Sequence, residues 1–144
     1  GPRDTFDPTR SHVMPALIKK FADAKREKKS FVDLWGTGRA TREFLYVEDA
    51  AEGIVAALER YDKPDPVNLG SGTEISIKDL ADLISRLIGY EGEIRWDASK
   101  PDGQPRRMLD VSRAEREFGF RAKTNFGEGV KKTIAWYLEN QGNV

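Results

Sequence analysis

A single histidine, His12, is the residue best suited to acid–base chemistry in this sequence of 144 residues. It stands at the start of a predicted helix, where backbone N–H groups attract anions and disfavour a protonated imidazole. His12 is therefore a candidate acid, base or hydrogen-bond donor to a ligand, with an ordinary surface or capping histidine as the alternative. The sequence has no cysteine, which excludes thiolate nucleophiles and thiolate metal sites, and we expect no metal site.

A second group of candidates is suited to a nucleotide. Trp35 precedes the turn 36–38, and Arg42 follows that turn. An aromatic ring near a guanidinium suits a base or a sugar followed by a phosphate. Each residue also has a structural explanation, since Trp35 can be a core residue and Arg42 can pair with Glu43 or Glu48 on the surface.

Two further segments carry features that suit anions. The long polar loop 98–107 contains Lys100, Arg106 and Arg107, which can close over an anionic ligand or can simply be solvated. The segment 70–72, Gly-Ser-Gly, begins like a dinucleotide-binding fingerprint. The third glycine of that pattern is absent, so we expect a tight turn that leads into a helix.

The composition excludes several classes of protein. Lys and Arg number 24 and Asp and Glu also number 24, so the formal net charge is zero, which is not typical of a nucleic-acid binder. Hydrophobic residues make up 38% of the chain, which is enough for one core of ordinary size. No apolar run is long enough for a membrane span or a signal-peptide core. We expect one cytoplasmic domain over residues 1–144, with neither a membrane nor a nucleic acid as partner.

The elements that must position these residues alternate between helix and strand, which favours an α/β fold. Ser11 is predicted to cap a first helix, and Ser76 is predicted to cap a strongly periodic helix that ends at Gly89. Further helices are predicted to start at Glu48, Ser112 and, roughly, Phe126. Strands are predicted at 31–35, 42–47, 67–69 and 93–97. The expected packing face of the helix that starts at Glu48 consists of Ala50, Ala51, Ile54, Val55 and Leu58.

Four segments, in this order and spacing, resemble the C-terminal part of extended short-chain dehydrogenase/reductases, in the group of nucleotide-sugar epimerases and dehydratases. The first begins at Gly1-Pro2-Arg3-Asp4. The segments R-E-F-L-Y-V-E-D-A (42–50) and N-L-G-S-G (68–72) are typical of the whole group. The segments S-H-V-M-P-A-L (11–17) and S-K-P-D-G-Q-P-R-R (99–107) are narrower and resemble the GDP-L-fucose synthase group. Enzymes of that group are NADP-dependent, and they epimerise and then reduce GDP-4-keto-6-deoxymannose.

The resemblance implies a role for each candidate residue. His12 matches the acid of the epimerisation and a contact to the cofactor, and Arg42 matches the arginine that meets the diphosphate. The implied fold is a small mixed α/β substrate-binding domain that lacks most of the Rossmann sheet. The implied substrate-binding residues are Val13, Lys20, Trp35, Arg42, Lys100, Asp102 and Arg106.

The resemblance also covers less than half of such an enzyme. The family's N-terminal Rossmann half supplies the glycine-rich NADP loop and a Tyr-x-x-x-Lys pair, and no Tyr-x-x-x-Lys occurs in this sequence. We therefore expect a GDP-sugar-binding portion that is inactive alone, is monomeric when isolated and pairs with the missing Rossmann half. Two alternatives stay open: the substrate-binding part of another nucleotide-sugar 4-epimerase or dehydratase, and a non-catalytic interaction domain of the same fold.

Overall fold

Helices and strands alternate along the chain, as an α/β fold requires. The structure is a computed structural model that describes residues 1–141, so the last three residues of the expected domain lie outside the described part. In chain order the elements are α1 (Val13–Arg26), β1 (Phe31–Trp35), β2 (Thr41–Glu43), α2 (Val47–Arg60), β3 (Glu74–Ser76), α3 (Ile77–Ile88), β4 (Glu93–Asp97), β5 (Arg106–Arg107), α4 (Ser112–Phe118) and α5 (Phe126–Glu139). The predicted mixed α/β class is confirmed.

The main core lies where α1, α3 and α5 meet the parallel strands β1 and β4. In β1 the side chains alternate, so that Val32 and Leu34 are buried and their neighbours point outward. The apolar stripe predicted on α1 is buried as well, with Ile18 and Phe21 fully inaccessible. Burying one such side chain stabilises the fold by about 1.5–3 kcal/mol, so this cluster supplies most of the driving force for folding.

A second, smaller sheet lies beside this core and has the order β3, β2, β5. Its central strand β2 runs antiparallel to β3 and parallel to β5. The predicted strand 42–47 is shorter in the structure, because Tyr46 is already the N-terminal cap of α2. The sequence analysis missed β3, whose three residues are too few to show an alternating pattern.

The predicted strand at 67–69 is wrong, because these residues form no strand in the structure. A strand needs a hydrogen-bonded neighbour, and none of the sheets formed by residues 1–141 includes this segment. Val67 and Leu69 instead pack against a second apolar cluster formed by Ala114, Phe118 and Phe120. Side-chain packing therefore holds this segment. Its composition is typical of a strand, but within residues 1–141 it pairs with no other strand.

The packing face predicted for α2 is also wrong. Ile54 is 62% exposed and Leu58 is 85% exposed, whereas Asp49 and Gly53 are buried. A Cβ atom added to Gly53 would lie 2.8 Å from Cε2 of Phe120, so this face of the helix approaches the ring too closely for a larger residue. The small side of α2 therefore packs inward, and its branched residues Ile54, Val55 and Leu58 form an exposed aliphatic stripe.

Both ends of α3 agree with the sequence prediction. Ser76 accepts a hydrogen bond from the Asp79 N–H at 3.0 Å, and Gly89 ends α3 in the left-handed region at φ 73°. The prediction that Ser11 caps α1 is wrong, because the cap is His12. The Ser11 N–H donates to the Asp7 carbonyl at 2.8 Å, so a turn ends there and α1 starts one residue later.

Two leucines test this arrangement, because Leu80 is fully buried in α3 and Leu58 is exposed on α2. We expect Leu80→Ala to lower the free energy of unfolding by about 2–5 kcal/mol, since it leaves a cavity in the main core. We expect Leu58→Asp to change it by no more than about 0.5 kcal/mol. Chemical denaturation of both variants measures this. A large loss with Leu58→Asp would show that the aliphatic stripe is covered in the isolated chain.

Candidate functional site

An open cleft of about 850 Å³ lies between the start of α1, the end of β2 and the first turns of α5. His12 and Val13 line it from α1, and Arg42 lines it from β2. Arg42 is 30 positions from His12 in sequence, and the fold brings both residues to one surface with Val13. The cleft is therefore the strongest candidate for the site that the sequence predicts.

His12 is the N-terminal cap of α1, and its side chain is exposed. Its backbone is extended, and its carbonyl accepts the first helical hydrogen bond, from the Ala16 N–H at 3.0 Å. The imidazole makes no capping hydrogen bond, so both ring nitrogens are free to meet a ligand. An imidazole in this position can donate or accept a proton at a group bound in the cleft.

Arg42 is half-buried on β2, and its Nη1 donates to the Thr41 carbonyl at 2.7 Å. Within residues 1–141 it forms no salt bridge, so the alternative of a surface pair with Glu43 or Glu48 is not realised. A half-buried guanidinium without a carboxylate partner is suited to bind an anion from outside the chain.

Glu43 explains why that pairing does not form. Its Oε1 accepts the Gly72 N–H at 2.7 Å, and its Oε2 accepts the Leu109 N–H at 2.8 Å. The carboxylate therefore ties the glycine-rich turn and the segment after β5 to β2. Because the Gly72 N–H already donates to an acidic side chain, the turn 70–72 is not a free phosphate cradle, which agrees with the tight turn predicted from sequence.

Asp49 is a second acidic residue that the sequence analysis did not assign to the site. It is buried, and its two oxygens accept the Lys123 N–H at 3.3 Å and the Thr124 N–H at 3.0 Å. Both Asp49 and Thr124 line the cleft. In the sequence Asp49 looks like an ordinary acidic residue at a helix start, so nothing local reveals this contact.

Trp35, Lys100 and Asp102 come together outside the cleft. Asp102 accepts hydrogen bonds from the Thr37 N–H and from its Oγ1, both at 2.6 Å, and so fixes the long loop to the turn 36–38. Trp35 is 73% exposed, so the alternative of a core residue is wrong. The Lys100 ammonium lies 5.9 Å from the centre of its ring. These residues form a surface that is separate from the cleft.

Lys20 and Arg106 do not line the cleft either. Lys20 donates from Nζ to the Asp33 carbonyl at 2.7 Å, and burial lowers the pKa of its ammonium. Arg106 pairs with Glu74 at 2.9 Å. The arginine of this loop that does line the cleft is its neighbour Arg107. Within residues 1–141, no group of three or more acidic, histidine or cysteine side chains is arranged around a possible metal.

The contact between Asp102 and Thr37 predicts an acid-sensitive loop. Hydrogen bonds from the Thr37 side chain and backbone hold the pKa of Asp102 below its ordinary value of 3.8. A carboxyl whose folded pKa is lowered stabilises the fold above its unfolded pKa, and this contribution is lost as the pH falls through the folded pKa. We therefore expect acidification below the ordinary carboxyl range, or Asp102→Ala at neutral pH, to release the loop from the turn.

The Thr37 amide resonance in NMR spectra reports this release, because it loses a charge-assisted hydrogen bond. Asp65→Ala is the control, since the Asp65 carboxylate makes no hydrogen bond within the described residues. An unchanged Thr37 amide in Asp102→Ala would contradict the contact.

None of the described helices is long and apolar enough to cross a membrane. The NAD dependent epimerase/dehydratase family matches residues 1–70. A probable GDP-L-fucose synthase 1 of Oryza sativa subsp. japonica is 44% identical over 140 residues, which are 97% of this chain and 42% of the relative. The GDP-L-fucose synthase of Escherichia coli K12 is 38% identical over 98% of this chain and 46% of its own length.

A solved structure shows the same likeness in three dimensions. The GDP-L-fucose synthetase of Naegleria fowleri bound to NADP superposes on this chain with a TM-score of 0.94 and 29% identity, over 100% of this chain and 45% of that one. The chain thus spans less than half the length of the curated relatives it matches. Residues 1–70 thus match the NAD dependent epimerase/dehydratase family, and over nearly its whole length the chain resembles the GDP-L-fucose synthases.

Proposed function

We propose that this chain is the GDP-sugar-binding portion of an NADP-dependent 3,5-epimerase/4-reductase of the GDP-L-fucose synthase type. Its substrate is proposed to be GDP-4-keto-6-deoxymannose. The observation that carries the proposal is the meeting of His12, Val13 and Arg42 in one cleft that is large enough for a nucleotide sugar. The sequence identity to synthases of this type supports the same assignment.

The cleft offers two kinds of chemistry to such a substrate. Arg42 has no acidic partner within the described residues, so it is suited to neutralise one phosphate of the diphosphate. His12 is exposed at the cleft and can donate a proton to the carbon skeleton as the sugar is epimerised. Binding and proton transfer therefore lie within this chain, with Arg42 and His12 in the two roles.

Hydride transfer needs a cofactor, and the Naegleria protein is bound to NADP. The fit of this chain to NADP is limited. The turn 70–72 is already bonded to Glu43, and an acidic side chain at that point disfavours a phosphate. His12 remains as the one proposed contact to the cofactor from these residues. We therefore propose that this chain alone does not oxidise NADPH.

The binding role is tested by titration with GDP, GDP-mannose and UDP-glucose, followed by NMR or tryptophan fluorescence. We expect both GDP ligands to bind better than UDP-glucose. Arg42→Ala is expected to weaken the binding of both GDP ligands about tenfold or more, because a charge-assisted hydrogen bond contributes roughly 1.5–3 kcal/mol.

Arg39→Ala is the matched control for this experiment. Arg39 is an exposed arginine three residues away that does not line the cleft, so its removal changes the net charge equally and is expected to leave the affinities unchanged. Equal or absent responses to all three ligands at millimolar concentration would overturn the assignment to GDP-sugars. An unchanged affinity in Arg42→Ala would remove Arg42 from the site.

The aliphatic stripe of Ile54, Val55 and Leu58 supports a partner for the chain. A row of exposed branched side chains on one helix is typical of a surface that packs against further protein. Next to it in sequence, the segment 67–69 has the composition of a strand but no ladder within residues 1–141. Both features fit the Rossmann half of the same enzyme, which we propose as the partner of this chain.

Recombination tests this partner. The chain is mixed with the part of the rice relative that it does not match, and NADPH consumption is followed with GDP-4-keto-6-deoxymannose. We expect no consumption by the chain alone and a measurable rate for the mixture. Leu58→Asp is expected to abolish association on a sizing column, because it places a charge in the apolar contact.

His12→Asn is the complementary variant, since it leaves the stripe intact. It is expected to associate normally and to bind GDP-mannose normally, while epimerisation of the sugar is lost. NADPH consumption by the chain alone would contradict its proposed inactivity. Normal association of Leu58→Asp would show that the partner packs elsewhere.

A further inference from the structure

A second open cavity, of about 660 Å³, lies at the C-terminal end of α1. It is lined by Lys20, Lys28 and Lys29 and by residues 30–33, and it shares no lining residue with the cleft. Phe31, which lines it at the start of β1, is about 13 Å along the strand from Trp35. The cavity is therefore separate from the cleft and lies toward the opposite end of β1 from Trp35.

Positive charge is concentrated beside this cavity. Residues 19–29 contain six Lys or Arg and two Asp or Glu, although the chain as a whole has zero net charge. Among the described residues, Asp33 is the one acidic residue that lines the cavity, and Arg95 lies opposite it in the ladder of β1 and β4. A local excess of this kind attracts anions even where the overall charge is zero.

Lys28 occupies a backbone position that glycine normally fills. It follows Glu27, the C-terminal cap of α1, and its φ of 53° is in the left-handed region. Helices commonly end on such a residue, and it is usually glycine, as at the end of α3, because a Cβ atom makes this conformation costly. Lys25 and Arg26 already place cations in the last turn of α1, so the helix dipole does not require a third. A lysine that strains the backbone here is typical of a residue whose side chain has a function.

The three ammonium groups are available to an anion to different degrees. Within residues 1–141, neither Lys20 nor Lys28 forms a salt bridge. The Asp33 carbonyl accepts a hydrogen bond from Lys20 Nζ at 2.7 Å, which fixes this ammonium at the cavity without neutralising it. Burial lowers its pKa, and an anion beside it would oppose that shift. Lys29 pairs with Glu27 at 2.8 Å, and an exposed pair of this kind is weak enough to exchange for a bound anion.

We propose that this cavity is a second binding site of the chain, in which Lys20, Lys28 and Lys29 bind the phosphate group of a small ligand. A phosphate carries nearly two negative charges at neutral pH and presents several acceptor oxygens. Ammonium groups on flexible stems suit such a compact anion, because each acts as a point charge and none needs a fixed planar geometry. Binding at this site offsets the backbone strain at Lys28, which no contact within the described residues explains.

The test uses the 144-residue chain and inorganic phosphate at neutral pH, followed by NMR, with sodium chloride at the same ionic strength as the reference. We expect phosphate, and not chloride, to shift the amide resonances of Lys28, Lys29 and Ser30 in a saturable way. Lys28→Gly is expected to weaken phosphate binding about threefold or more, because one cation is lost. The same variant is expected to have a higher Tm, because glycine relieves the left-handed strain.

Two further variants separate charge from backbone strain. Lys28→Arg keeps both, so it is expected to match the wild type in phosphate affinity and in Tm. Lys131→Ala is the control for charge, since Lys131 is exposed on α5 and lines neither cavity. It is expected to leave the phosphate affinity unchanged.

Several results would overturn the site. These are equal shifts with chloride and phosphate, shifts confined to Arg42 and its neighbours in the cleft, or wild-type phosphate affinity in Lys28→Gly. A lower Tm in Lys28→Gly would show that the lysine stabilises the helix end, and would also overturn the proposal. GDP affinity is expected to be the same in Lys28→Gly and in the wild type, so failure of this site leaves the proposed function intact.

Glycerol 3-phosphate distinguishes the two sources of a phosphate group. Tighter binding than inorganic phosphate at the same amides supports the site and identifies a phosphate monoester as its ligand. Weaker binding supports the site and identifies the free ion.

Discussion

The carboxylate of Glu43 connects three parts of the chain that local sequence does not bring together. It lies at the end of β2, and its oxygens accept N–H groups from the turn 70–72 and from the segment after β5. Without it, two backbone donors would lose their partner: the part-buried Gly72 N–H and the exposed Leu109 N–H. It also keeps the only acidic neighbour of Arg42 in the strand engaged elsewhere. Within residues 1–141, Arg42 therefore has no carboxylate partner in its own strand, because Glu43 is bonded elsewhere.

The face on which α2 packs is the second constraint on the structure. Its small residues face the cluster around Phe120, and its aliphatic stripe faces away. A helix with two apolar sides is typical of a layer between two others, and this chain supplies one of those layers. The rice and Escherichia coli relatives are each more than twice as long as this chain.

Local features of the fold could be predicted from the sequence, and long-range ones could not. The caps at Ser76 and Gly89 depend on residues within one turn, so their signals are complete in a short window. The strand β1 was predicted with its observed bounds for the same reason. The strand at 67–69 was wrong because a ladder depends on a neighbour that no local pattern encodes. The face of α2 was wrong because periodicity shows that a stripe exists but not what covers it.

The candidate site shows the same division. Residue type and position identified His12 and Arg42, the resemblance to a family added Val13, and the fold brings these three together. The choice between Arg106 and Arg107 depends on a ladder register that joins residues far apart in sequence, and a shift of one residue reverses which side chain faces the cleft. The contact of Asp102 with Thr37 likewise joins a loop and a turn 65 residues apart.

Asp49 gives α2 a mechanical link to the cleft. The buried carboxylate is part of the helix, and the backbone it holds, at Lys123 and Thr124, leads directly into the wall formed by α5. If α2 tilts, it must either carry that wall along or break two hydrogen bonds to a buried charge, and the second choice is costly. Asp49 thus ties the position of α2 to the backbone that leads into the α5 wall of the cleft.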